Sequence, residues 1–387
     1  MYTLNKKNIF RLLLIVQAIE ISIMGSGRLL QFGPLTLRMY LFVIIILFTF
    51  SVNTKINKEI FLIISLTLFS FCFSLALGFL NGNKLSLILT DIKPLLFIFE
   101  LPFIFYTVNG TPKIFKELGS VFKMSGILLT LLNIGIIFSI LIGFVSFTEF
   151  YSWASATGEF FFRPLENKSI AIGFFYKGFI YIGIGLFFFL YTPDKKKYFF
   201  VSIMIIALLF TLTRGFILSL LLTYIAYYIL EKRKKAFFII GIIAIIVYFS
   251  LNYYLSFLGN KEVSDNTRLL DTFYILKNTN FFTFFFGHGF GSFINNRVSV
   301  ENSFLEIFYI QGILGVAPFF IMLYKSYKNY FKVKKNERII FSPFFYGIVF
   351  ISVLSLTNPF INNPIGMFFV LISYAILSNN KPILNSI

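Results

Sequence analysis

The stretch "DKKKYFFVSIMIIALLFTLTRGFILSLLLTYIAYYILEKRKK", residues 194–235, decides the fold. Two apolar runs, at about 198–213 and 215–230, are separated only by "TRG" and flanked by lysine clusters, "DKKK" and "EKRKK". Lysine-rich loops stay on the cytoplasmic side of a membrane. Both clusters can lie there only if the chain goes out and returns between them. The break at Thr213, Arg214 and Gly215 is therefore an outer apex between two short spans, with the glycine allowing a tight reversal.

The same pattern fills the chain. Of 387 residues, 58% are hydrophobic and 13% charged, whereas a soluble domain is about half apolar and a quarter charged. An excess spread over the full length signals a membrane protein. A helix needs roughly 20 mostly apolar residues to cross the hydrocarbon. Twelve segments qualify, at about 9–25, 36–52, 60–80, 92–108, 124–147, 169–191, 198–213, 215–230, 236–255, 303–324, 339–356 and 365–378. The expected fold is an all-α integral membrane protein: a polytopic bundle of about 12 helices forming one domain over 1–387. The largest outer loops are expected at 148–168 and 256–302. "KKNIFRLLLIVQAIEISIMG", residues 6–25, has no small-residue cleavage site and reads as a first span.

Placing both termini inside puts 22 of the 34 lysines and arginines on the cytoplasmic side. The minority differs in kind. Arg28, Arg38, Arg163, Arg214, Arg268 and Arg297 fall outside, while the inner side is dominated by lysine. Lysine suffices as a topological anchor, but the guanidinium fork binds phosphate bidentately. Snorkelling to lipid phosphates explains any one of them equally well; six together favour a bound anionic headgroup. One cysteine, Cys72, and one histidine, His288, exclude a disulfide framework and argue against a zinc site. No metal, cofactor or nucleic-acid partner is expected.

Several segments carry polar chemistry. In "FTLTRGFILSLLL", 210–222, Arg214 and Gly215 sit where a helix begins, so free N–H groups and the positive dipole end join the guanidinium. A turn with a snorkelling arginine is the plain alternative. In "FGHGFGSFINNRVSVENSFLEIFYIQGILG", 286–315, Gly287, Gly289 and Gly291 precede Arg297, Glu301, Asn302 and Glu306. The G-x-G-x-G run lacks dinucleotide spacing and faces the side where nucleoside triphosphates are scarce, yet its glycines would permit close approach to a lipid diphosphate. Glu306 lies just inside the membrane, where a carboxylate is costly, either functional or paired with an arginine. His288 is a candidate base or a loop histidine bonded to backbone. "ATGEFFFRPLENKS", 156–169, sets Glu159 and Arg163 among aromatic rings suited to sugar stacking or to an interfacial belt. "GSGRLLQFGPLTLR", 25–38, carries Arg28, and "TNPFINNPIG", 357–366, carries Asn358 in a hairpin with two Asn-Pro steps.

Taken in order, "GSGRLL", "GEFFFRP", the "TRG" apex, "GHGFGSF", "ENSFLEIFYIQGILG" and "TNPF…NPIG" resemble the Wzy-type O-antigen polymerases, over nearly all of the chain. These belong to the polymerase/ligase superfamily of bacterial surface polysaccharides. The resemblance implies a GT-C-like inner-membrane glycosyltransferase working at the periplasmic face. Its substrates would be undecaprenyl-diphosphate-linked oligosaccharide repeat units, with membrane lipids around it and room for a chain-length regulator as partner. By motif, Arg214 would contact the diphosphate, although Thr213 stands where serine is more usual. Related ligases carry a histidine in the slot of Glu301, which argues against a ligase.

The residues then sort by chemistry. Arg214, Arg297, Arg268, Arg163 and Arg28 are the diphosphate candidates, since cationic donors stabilise a leaving diphosphate. Glu301, then His288 and Glu306, are candidates to take the acceptor hydroxyl's proton. Asn302, Asn358 and Glu159 are the glycan-binding candidates. An O-antigen ligase is the alternative enzyme. A lipid-linked oligosaccharide flippase or transporter is the alternative class, which predicts charges lining a transmembrane path and often internal repeats; no repeat is visible in the sequence.

Overall fold

A computed structural model describes residues 6–33, 35–50, 57–111, 113–163, 173–191, 195–231 and 262–379. The expected ninth span, 236–255, residues 164–168 of the first large loop, 169–172 of the sixth span and 256–261 of the second large loop lie outside this set.

Helices stand at the apolar runs for α1 (Lys6–Ile23), α2 (Leu37–Phe50), α3 (Lys58–Leu80), α9 (Lys197–Phe210), α10 (Arg214–Leu230), α13 (Ser303–Lys332), α14 (Lys335–Leu354) and α15 (Pro364–Ser378), while α6 (Ile114–Leu141) begins ten residues before the start and ends six residues before the end of the span expected at 124–147. By length and composition, α3, α6, α13 and α14 can cross a membrane, and α2, α9, α10 and α15 are shorter apolar helices. The segment expected at 92–108 is broken. It comprises α4 (Leu85–Leu95), a 3-10 turn (Leu96–Glu100) and α5 (Leu101–Gly110), with Pro94 and Pro102 at the breaks. Proline removes a backbone donor and clashes with the preceding turn, which ends regular helix.

The span expected from 169 begins later. Residues Gly173–Tyr176 form a strand, β4, paired antiparallel with β3 (Phe160–Arg163), and after a 3-10 turn (Lys177–Phe179) α8 covers only Ile180–Leu190. The reason is aromatic pairing. Phe161 lies opposite Phe175 with ring centroids 6.0 Å apart, and Phe160 stacks on Tyr176 at 4.9 Å. Such cross-strand pairs stabilise a sheet more than a helix. A smaller hairpin joins β1 (Gln31–Phe32) to β2 (Leu35–Thr36). The longer connections also hold α7 (Phe147–Thr157), α11 (Glu262–Asn278) and α12 (Phe281–Phe286).

The centre of the bundle is α8 and α15. Every residue from Ile180 to Phe189 and from Pro364 to Leu377 is buried, as expected of helices that are apolar all round. Around them, α6 packs on α8, α14 on α8 and α15, and α13 on α3 and α15.

Some charges lie deep within this layer. Arg38, among the arginines assigned to the outer side, is buried and forks onto Glu20 at 2.9 and 3.2 Å, with a third bond to the Gly25 carbonyl at 2.7 Å. Glu100 on the 3-10 turn is fully buried and accepts from the Gln17 amide at 2.7 and 2.8 Å. Burial without partners would cost several kcal/mol per charge, and here each group has one.

Candidate active site

A cleft of about 480 Å³ opens where three loop regions meet. One wall is the aromatic hairpin, with Phe161, Phe162 and Phe175 followed by Lys177. The second is the segment leading into α13, with Arg297, Ser299 and Glu301. The third is the α14–α15 connection, with Asn358, Pro359 and Asn363. The volume is that of an ordinary small-molecule site.

Local sequence explains each wall. Asn295 and Asn296 both have positive φ, 48° and 64°, and Ile294 and Arg297 exchange two backbone hydrogen bonds of 2.9 Å. That is a type I′ turn, which asparagine tolerates better than most residues. It holds Arg297 at the cleft while Ile294 plugs the core. Asn302 caps α13, its side-chain oxygen accepting from the Phe304 and Leu305 N–H groups at 3.1 and 3.2 Å. Asn363 caps α15 through the Ile365 N–H at 3.2 Å, with Pro364 preset for the first turn. Ser303 joins the two walls: its N–H donates to the Ser355 carbonyl at 2.9 Å and its hydroxyl to that of Asn358 at 3.3 Å.

The charged groups are tied in pairs. Asp271 on α11 accepts from the Arg297 guanidinium at 2.5 Å, and Arg268, one turn earlier, holds Glu301 at 2.5 Å. Residues three apart share a helix face, so α11 grips the 297–301 segment through two ion pairs of opposite sense. Lys177 donates from Nζ to the Gly158 carbonyl at 2.8 Å and lies over the Phe161 ring, 5.6 Å from its centroid. Arg28 reaches the same place, since a Cβ added to Gly158 would lie 2.6 Å from its Nη1. The Arg214 apex abuts the third wall. A Cβ on Gly215 would come within 2.6 Å of the Asn358 amide nitrogen and 2.8 Å of the Thr357 hydroxyl. Only glycine lets the start of α10 pack that closely.

Of the residues singled out from sequence, Arg297, Glu301 and Asn358 line the cleft. Arg268 joins them through Glu301, Arg214 through Gly215, and Arg28 through Gly158. Asn302 spends its side-chain oxygen on the α13 cap. Glu306, one turn on, is 9% exposed, with Val300, Asn362 and the Arg297 charge around it. Arg163 ends β3 opposite Gly173. Glu159 is fully buried and does not line the cleft; its carboxylate accepts from the Ser26 N–H at 2.9 Å, the Ser26 hydroxyl and the Arg28 N–H at 3.1 Å. It anchors the "GSGR" loop that presents Arg28.

His288 and the glycine run lie elsewhere. The imidazole stacks on Tyr309 at 4.1 Å, and burial pushes its pKa below the ordinary histidine value. The N–H groups of residues 288 to 291 donate to Tyr309 O, Ile310 O, Ser74 O and the Asp91 carboxylate, at 2.7–3.0 Å. With those donors spent inside the protein, they form no phosphate cradle. Gly287, Gly289 and Gly291, all at positive φ, let the loop press against α3, α4 and the break in α13 at Gly312. Among the described residues no group of three His, Cys, Asp or Glu side chains clusters as metal ligands do.

No protein-family model matches the chain. A comparison with curated proteins finds an O-antigen polymerase of Shigella flexneri, 33% identical over 379 residues, covering 94% of this chain and 93% of that one. The chain belongs to the O-antigen polymerases. The likeness runs nearly end to end, so it takes in all three walls of the cleft rather than one motif. Asn363, in the second Asn-Pro step of the 357–366 hairpin, lines the cleft beside Asn358. Sequence reasoning passed over two groups that the structure brings to or against the cleft of this polymerase, Lys177 and Asp271. The signal for Asp271 was present as complementary charge spacing, Arg268 and Asp271 against Arg297 and Glu301. Lys177 carried no local signal, because only the β3–β4 pairing turns it toward the cleft.

Proposed function

We propose that this polymerase joins undecaprenyl-diphosphate-linked repeat units in the cleft, at the periplasmic face of the inner membrane, on a twelve-span bundle with both termini cytoplasmic. The observation that carries this is the grouping in one cavity of cations, a carboxylate and an aromatic–amide wall: Arg297 and Lys177, Glu301, and Phe161 beside Asn358 and Asn363. A lipid-linked glycan has a part for each. Its diphosphate suits the guanidinium and ammonium groups, with Arg214 and Arg28 at the margins. Its pyranose faces suit the Phe161 ring, which is 53% exposed within the cleft. Its hydroxyls suit the asparagine amides.

The reaction needs little more. A hydroxyl of the incoming repeat unit attacks the anomeric carbon of the growing glycan. The bond from that carbon to the diphosphate oxygen breaks, and the electron pair leaves with undecaprenyl diphosphate. Cationic donors stabilise the charge that develops there. Glu301 takes the hydroxyl proton, with the Arg268 fork fixing where its carboxylate points. Diphosphate is already a good leaving group, so we assign the reaction no metal. Chain length is then set by a partner protein.

Polymerisation of a defined lipid-linked repeat unit by the purified protein tests the assignment, with chelator added in a parallel reaction. A ladder of products in both reactions is expected. Absence of any product longer than one unit refutes the assignment, and loss of product only with chelator refutes metal independence. In cells, a deletion strain should display lipid capped with a single repeat unit; a strain with no surface repeat points to ligation or flipping instead.

A further inference from the structure

Asp271 is 4% exposed, sits on α11 outside the cleft lining, and holds Arg297 through a single oxygen, Oδ2, at 2.5 Å. Its other oxygen, Oδ1, is buried without a hydrogen-bond partner. For stability this is a poor arrangement. A buried carboxylate with an unsatisfied oxygen carries a desolvation cost, and well-packed apolar groups often serve a fold as well as a buried ion pair. For geometry it is effective. Arginine has five N–H donors in a rigid plane, and Asp271 takes one at Nη1. The type I′ turn fixes the Arg297 backbone, and Asp271 fixes the far end of its side chain. A long, 36% exposed side chain is thereby held in one orientation, with its remaining N–H groups available to an oxyanion.

We propose that Asp271 is a positioning residue for the polymerase reaction, aiming the Arg297 guanidinium at the lipid diphosphate. The inference rests on the function assigned to the cleft above. Arg268 does the corresponding work on Glu301 from one turn earlier on the same helix, so α11 sets the angle of both a diphosphate ligand and a proton acceptor.

The test is a double-mutant cycle on purified full-length protein, read as kcat and KM for a defined lipid-linked repeat unit together with thermal stability. Asp271→Asn keeps the shape and removes the charge; it should lower kcat/KM by roughly 10- to 100-fold, the cost of misplacing a reacting-site group by about an ångström. Arg297→Ala should lose at least as much. The double variant should be no less active than Arg297→Ala, because Asp271 has then nothing to aim. It should also be more stable than Arg297→Ala, which strands a buried charge. A role for Asp271 that does not act through Arg297 predicts independent losses in kcat/KM that multiply in the double variant, and that result overturns the proposal. So does wild-type activity in Asp271→Asn. Should Asp271→Asn fail to accumulate, the comparison of Arg297→Ala with the double variant still decides. Wild-type protein that does not polymerise the unit, or an Arg297→Ala variant with full activity, refutes the function of the cleft instead.

Discussion

Replacing Gly289 by alanine separates two readings of the glycine run. Gly289 has φ +89°, and a Cβ there would lie 2.5 Å from the Gly78 nitrogen and 2.8 Å from the Leu77 carbonyl carbon and Cβ. The obstacles are mainly backbone of α3, which cannot rotate away. The positive φ costs an L-residue about 1–2 kcal/mol, and forcing a methyl into packed backbone about 1–3 kcal/mol more. The loss is then roughly 2–5 kcal/mol, a large share of the 5–15 kcal/mol typical of folded proteins. At about 2 °C per kcal/mol, the low end for large domains, the midpoint should fall by roughly 4–10 °C. Gly33→Ala is the control, since Gly33 has φ +62° with nothing within 4 Å of an added Cβ; only the dihedral cost applies, about 1–2 kcal/mol. Thermal unfolding of the two variants in the same detergent makes the comparison. Equal midpoints would refute the packing role. A Gly289→Ala protein that is stable yet fails to bind lipid diphosphate would restore the phosphate cradle.

Arg214→Lys should lose most polymerisation, because charge alone does not reproduce a bidentate fork; near-normal glycan length in that variant counts against diphosphate binding at the apex. Glu301→Gln should lower kcat by about 10²- to 10⁴-fold, the usual contribution of a positioned proton acceptor; a loss of that size in His288→Gln, with Glu301→Gln near wild type, would move the base there. Stability has its own pH dependence at His288. Burial depresses its folded pKa, so its contribution is complete above the unfolded value of about 6.5 and declines as pH falls through the folded value. Thermal midpoints of wild type and His288→Gln should converge on acidification; a gap that widens reverses the sign.

What was legible from sequence follows from local physics. Apolar runs of bilayer length, lysine clusters at their ends and the apex at Thr213–Gly215 depend on neighbours along the chain, and α3, α9, α10 and α15 fall where those signals put them. Arg297, Glu301 and Asn358 were also marked in advance, since polar groups between apolar runs are conspicuous in so apolar a chain. Tertiary structure decided the rest. Aromatic pairing across β3 and β4 outweighed the apolar run that reads as helix from 169. The glycine run turned out to serve contact with α3 and α13, because its N–H groups meet carbonyls distant in sequence. Arg38 went inward, where Glu20 on another helix compensates its charge. Asp271 gained its place only when α11 folded against the 297–301 turn. Hydrophobic length and charge at helix ends are properties of a segment, but a hydrogen bond or ion pair belongs to two, and its second member is chosen by packing.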